Sequence, residues 1–120
     1  RDNPRVADLY HAMHPAVLMA LQHVVDAAKV ANIPVGLCGE LAGDPAGALL
    51  LMGMGYDSLS MNAASLPKVK SVIRNFTLSQ AQEMLLKALE QAGADGVQQV
   101  IQENLKAAGL TRLHSRYVGN

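Results

Sequence analysis

The spacing of apolar residues changes repeatedly along the chain. Val17, Leu18, Leu21, Val24, Val25 and Ala28 lie on one face of a 3.6-residue period and predict a helix. Pro15 opens it, since the N–H that proline lacks would go unpaired in a first turn. Asn32 marks its end, and residues 5–13 before it read as a short helical connector. Ile33 to Leu37 is a short apolar run with Pro34 near its start. Its length, its β-branched residues and the helix before it predict a buried parallel strand. Residues 38–43 then form a strand-to-helix loop, and Asp44-Pro45 restarts a helix as N-cap and first position. Residues 46–54 are apolar nearly all round, which implies burial on several sides, and Gly55 suits a left-handed stop.

A second strand is predicted over 57–61, where Leu59 and Met61 alternate with Ser58 and Ser60. After a loop over 62–65, Val69, Val72 and Ile73 form the inner stripe of a helix ending near Asn75. Two more helices follow. Thr77 with Gln80 fits a capping box before the stripe Ala81, Met84, Leu85, Ala88 and Leu89, with Gly93 as its stop. Asp95 with Gln98 repeats the pattern before Val97, Val100, Ile101, Leu105 and Ala108, and Gly109 closes that helix. Residues 110–120 read as a tail.

Alternating strands and helices predict an α/β fold with parallel βαβ construction. Two strands are too few for a parallel sheet, whose two faces both need cover. The chain also opens on Arg1-Asp2-Asn3-Pro4, which reads as the middle of a loop. Both observations predict a piece of a longer protein whose front half precedes Arg1.

Composition narrows the function. The chain has 120 residues, suited to one small domain, and half of them are apolar. With one Phe and three Tyr, the core must be aliphatic, with six Met among the candidates to fill it. The formal net charge is zero and no Lys/Arg stripe is present, which argues against a nucleic-acid surface. The apolar runs are too short and too broken to span a membrane. A single cysteine forms no internal disulfide and suits a reducing compartment, hence a cytoplasmic location.

That cysteine, Cys38, falls at the end of the first predicted strand, where active groups collect in parallel α/β sheets and barrels. Met61, Asn62 and the loop after them fall at the corresponding end of the second. Gly39 and Gly43 would let backbone approach a ligand, and the helix start at Asp44 offers free N–H groups. Each position also has a plain structural reading. Cys38 is then a small buried side chain, Glu40 a loop carboxylate in a salt bridge, Asp44 a helix cap, and Met52-Gly53-Met54 core packing. His11, His14 and His23 lack the companions of a metal site, His114 falls in the tail, and GxGxxG is absent. A thiol at Cys38 could act as nucleophile, metal ligand or proton donor. A nucleophile needs a base or cation to lower its pKa, and a donor needs a thiol that stays protonated, which a buried strand end suits.

The run "CGELAGDP" followed by "LLLMGMGYDSLSMNAASLPKVKSVIRNF" resembles the C-terminal end of the phosphoenolpyruvate-protein phosphotransferases, enzyme I of the sugar phosphotransferase system. The likeness covers residues 1–76 well and the last two helices loosely. A shorter version, Cys-Gly-Glu with a following Gly-Asp, also occurs in pyruvate phosphate dikinase and phosphoenolpyruvate synthase. Within the family, "SLSMNAASLPKVK" looks more like the nitrogen-related paralogue, since the sugar-type enzymes usually carry Ser at the position of Asn62.

The resemblance implies the last quarter of a phosphoenolpyruvate-binding (β/α)8 TIM-type barrel. Barrel elements would occupy about 14–76, with strand seven at 33–37 and strand eight at 57–61, and two extra C-terminal helices would fill 77–109. It implies that Cys38 is the acid that protonates the methylene carbon of enolpyruvate. It implies that Arg1 contacts the phosphoryl group, through the paired hydrogen bonds a guanidinium makes, and that Gly39 admits substrate. Mg²⁺ would serve the full-length enzyme, with its ligands upstream of Arg1 and none in this chain. The implied partners are phosphoenolpyruvate, a histidine-containing phosphocarrier protein and a second copy of the enzyme, with no nucleic acid and no membrane. A helical dimerisation piece without catalysis is the competing expectation from another class.

Overall fold

The computed structural model describes residues 13–110. Seven elements follow in the expected order: α1 (Pro15–Val30), β1 (Gly36–Cys38), α2 (Pro45–Met54), β2 (Ser58–Ser60), α3 (Leu66–Arg74), α4 (Leu78–Leu89) and α5 (Ala94–Ala107). β1 and β2 pair in parallel, with Gly36 opposite Ser58, Leu37 opposite Leu59 and Cys38 opposite Ser60. The βαβ unit is therefore present and the α/β class holds. Residues 5–12 of the 5–13 connector, Arg1, His11, His114 and residues 111–120 of the tail lie outside the described residues.

Local chemistry sets most boundaries. His14 caps α1, its Nδ1 accepting from the Ala16 N–H at 3.0 Å, and Pro15 takes the first helical position. Asn32, just past the end of α1, adopts φ 55°, a left-handed conformation that Asn tolerates better than most side chains. Asp44 caps α2, and Gly55 closes it in the left-handed region at φ 103°. Thr77 and Gln80 form the complete capping box of α4.

The core is built around α2, in which every residue except Met52 is buried. α4 lies on it through Ala81, Met84, Leu85 and Ala88, and α5 backs α4 with Val97, Ile101 and Leu105. Contact between α2 and α4 is close enough that a Cβ on Gly53 would stand 2.7 Å from the Ala81 carbonyl oxygen. Met52-Gly53-Met54 is thus packing, as its structural reading held. α1 adds Leu18, Val25 and Ala28, and is tied to the end of α2 by polar contacts. Tyr56 donates its hydroxyl to the Leu21 carbonyl at 3.0 Å, and Gln22 donates to the Met54 carbonyl at 3.2 Å. Burial pushes the Tyr56 phenol up from its ordinary value of 10.0.

Four expectations need correction. The first strand is Gly36–Cys38, not 33–37, and the second is 58–60. Pro34 has no N–H to give, and the Val35 N–H donates to the Asp57 carboxylate at 2.8 Å rather than to a neighbouring backbone. The first strand is also not buried on both faces. Leu37 and Leu59 pack toward the core, whereas Gly36, Cys38, Ser58 and Ser60 are exposed, and Ile33 is 59% exposed. Among the described residues no element covers that second face. On α1, Val17 and Val24 stand outside the buried stripe. Finally, α5 begins one residue before Asp95, with Gly93 as N-cap, so Asp95 sits in the first turn instead of capping it.

Candidate active site

The C-terminal ends of β1 and β2 open into one cleft of about 820 Å³. β1 delivers Cys38 to its wall. Gly39 then turns the chain at φ 114°, a conformation that L side chains rarely adopt. Glu40 and the 43–45 stretch complete that side. Across the cleft, β2 delivers Ser60, Met61 and Asn62, followed by Ser65 and Lys68 at the start of α3. The two loops meet at Gly43, where an added Cβ would lie 3.3 Å from both the Met61 Cβ and the Ser65 Oγ.

Each loop has its own internal support. The Asp44 carboxylate is buried and accepts from the Gly47 N–H at 3.1 Å, which fixes the start of α2. Asn62 Oδ1 accepts from both the N–H and the Oγ–H of Ser65, each at 2.9 Å, which folds the loop back before α3. Asp44 therefore acts as the cap that its structural reading described. The exposed Cys38 is not the small buried side chain of its structural reading, nor does it occupy the buried strand end that would shelter a thiol. The uncovered face of the β1–β2 pair explains this, because Cys38 alternates with the inward Leu37.

The structure brings Cys38 and Gly39 together at the cleft. Arg1 lies outside the described residues. Sequence reasoning placed Ser65 at the cleft as part of the 62–65 loop and did not single out Lys68. The signal for Lys68 was available, since a helix that follows a parallel strand starts at the same end of the sheet as the strand's last residue. Among the described residues, no group of three or more His, Cys, Asp and Glu could hold a metal ion.

Residues 1–78 match the family model described as PEP-utilising enzyme, PEP-binding domain, where PEP is phosphoenolpyruvate. The chain belongs to the PEP-utilising enzymes. Every cleft residue falls inside the matched span, whereas nearly all of α4 and all of α5 fall after it. Among curated relatives, the phosphoenolpyruvate-protein phosphotransferase of Haemophilus influenzae is 42% identical over 105 residues, covering 88% of this chain. The phosphoenolpyruvate-dependent phosphotransferase system protein of Salmonella typhimurium is 36% identical over 110 residues, covering 92%. A multiphosphoryl transfer protein of Xanthomonas campestris is 41% identical over 97 residues, covering 81%. The chain spans only 18%, 15% and 12% of the lengths of these three relatives.

Proposed function

We propose that this chain forms the closing part of a PEP-binding (β/α)8 barrel in a phosphoenolpyruvate-protein phosphotransferase. That enzyme moves the phosphoryl group of PEP to its own histidine and then to a histidine-containing phosphocarrier protein, releasing pyruvate. One observation carries the reading: a single exposed thiol stands at a parallel strand end, inside a cleft of substrate size and within the family-matched span.

The chemistry assigned to the chain is proton delivery. Attack by the histidine nitrogen on phosphorus breaks the bond to the bridging oxygen, which keeps the electron pair as an enolate. The methylene carbon of the enolate takes the proton of the Cys38 thiol, and pyruvate results. The Cys38 thiolate regains its proton from water, which reaches it because the side chain is exposed. Arg1 and Gly39 are assigned to substrate binding: Arg1 on the phosphoryl group, and Gly39 where the missing side chain leaves backbone open to the ligand. Mg²⁺ belongs to this reading for the full-length enzyme, but none of the steps assigned to this chain runs through it. The chain alone lacks the phosphorylated histidine and turns nothing over. A cytoplasmic homodimer completes the proposal.

The test is phosphoryl transfer by the enzyme that carries this chain. With PEP labelled on phosphorus, the label is expected on the enzyme's histidine and then on a histidine-containing carrier, with no nucleotide required. Label passing to inorganic phosphate or a nucleotide, with none on a carrier, would contradict the reading and favour the dikinase or synthase branch.

A further inference from the structure

Past its last ladder pair, the sheet closes into a ring of contacts around the cleft. Cys38 stands opposite Ser60 in the parallel register, and both strands end there. Gly39 then turns the chain, and its carbonyl accepts from the Gly43 N–H at 3.2 Å. Gly43 in turn meets the exit of β2. A Cβ added there would lie 3.3 Å from the Met61 Cβ, 3.3 Å from the Ser65 Oγ and 3.4 Å from the Ser65 Cβ. Met61 follows Ser60 in the chain, so the ring returns to the residue paired with Cys38.

One member of this ring needs a side chain held in place. A serine hydroxyl has three staggered positions open to it. Asn62 removes that freedom, because its Oδ1 accepts from the Ser65 Oγ–H as well as from the Ser65 N–H, each at 2.9 Å. The bond from the N–H alone would cap the turn that leads into α3. The bond from the hydroxyl satisfies no helix N–H. Its effect is to keep Oγ where it abuts Gly43, which fixes the wall against which the 39–43 turn rests.

We propose that Asn62 and Ser65 are positioning residues for the Cys38 thiol, acting through Gly43 and the turn at Gly39. The inference rests on the function proposed above, in which Cys38 delivers a proton to the methylene carbon of the enolate. Such a step depends steeply on placement, and a displacement of about 1 Å costs on the order of a hundredfold. Loss of the Asn62–Ser65 contact therefore slows pyruvate formation and leaves the affinity for PEP in place.

Pyruvate formation by the enzyme that carries this chain is measured for Asn62→Leu, Asn62→Asp and Ser65→Ala, each alone and combined with Cys38→Ala. Asn62→Leu keeps the size of the side chain and removes the acceptor. It is expected to lower kcat about tenfold, with KM for PEP within about twofold of wild type. Ser65→Ala, which deletes one hydroxyl, should do the same and carries the test where Asn62→Leu disturbs folding. Asn62→Asp keeps an acceptor for both bonds and should restore kcat to within about threefold. The solvent deuterium isotope effect on kcat should rise in Asn62→Leu and Ser65→Ala, because proton delivery becomes slower relative to the other steps; a smaller folded fraction would leave it unaltered. Added to Cys38→Ala, neither change should cost more, since no thiol is left to position. An unchanged kcat, an unaltered isotope effect, an equal loss in the Cys38→Ala background, or a loss that Asn62→Asp does not rescue overturns the positioning role. A wild-type enzyme that releases no pyruvate, or full pyruvate formation by Cys38→Ala alone, instead overturns the function on which it rests.

Discussion

Three side chains show how differently one residue can act here. Asp44 is buried and charged at the N-terminus of α2, where its carboxylate pairs with the Gly47 N–H and favours the helix dipole. Replacing it with Ala should destabilise the fold by about 1–2 kcal/mol, the range for a lost N-cap, as read from urea unfolding. The same change should loosen the loop that carries Gly39 and Glu40. Tyr56 gives a pH signature. Its folded phenol ionises above the ordinary value of 10.0, so below that pH it is protonated in both states and its stabilisation is complete. As pH rises past 10.0 the unfolded phenol ionises first, and stability falls until the folded phenol also ionises. Tyr56→Phe should remove this share of the alkaline loss, which unfolding curves on either side of pH 10 would reveal. Cys38 is the third case. Being exposed, it should react with a small alkylating reagent in the folded protein, and mass spectrometry of the native chain would detect the adduct. A thiol that reacts only after denaturation would contradict the open cleft.

At the scale of elements, the contact between α2 and α4 is a close one. Gly53 lies against the Ala81 backbone, which cannot swing away as a side chain can. Gly53→Ala should therefore destabilise by about 1–3 kcal/mol, although alanine favours an isolated helix. A thermal melt decides between the two signs. The helices were legible in the sequence because their signals are local: Pro15, Asp44-Pro45, Gly55 and the Thr77–Gln80 box all act within one turn. The strand limits were not, because they depend on a partner 22 residues away, the Asp57 carboxylate that takes the Val35 N–H. The exposure of Val17 and Val24 was equally illegible, since a helical stripe shows which residues share a face but not how far a neighbour covers it. Asp95 misled because an acid suits both the N-cap and the first turn of a helix.

Across the whole molecule, a helical core holds two loops at the end of a short parallel sheet. α2 starts at one wall of the cleft and α3 at the other, and the core residues of α2 fix the first wall from behind. The motif around Cys38 made the position of the thiol legible in the sequence. Lys68 was harder to see, because a lysine inside Pro-Lys-Val-Lys looks like an ordinary solvated charge until the helix start is placed at the cleft. The thiol remains the centre of the functional reading. The decisive measurement compares wild type with Cys38→Ala in the enzyme that carries this chain, following PEP binding by calorimetry and pyruvate formation in the same preparations. Binding should persist within a few-fold while pyruvate formation falls by about a hundredfold or more, the lower end of what a positioned acid contributes. Full pyruvate formation by Cys38→Ala would contradict the proton-donor role and leave Cys38 as an exposed side chain at the edge of the cleft.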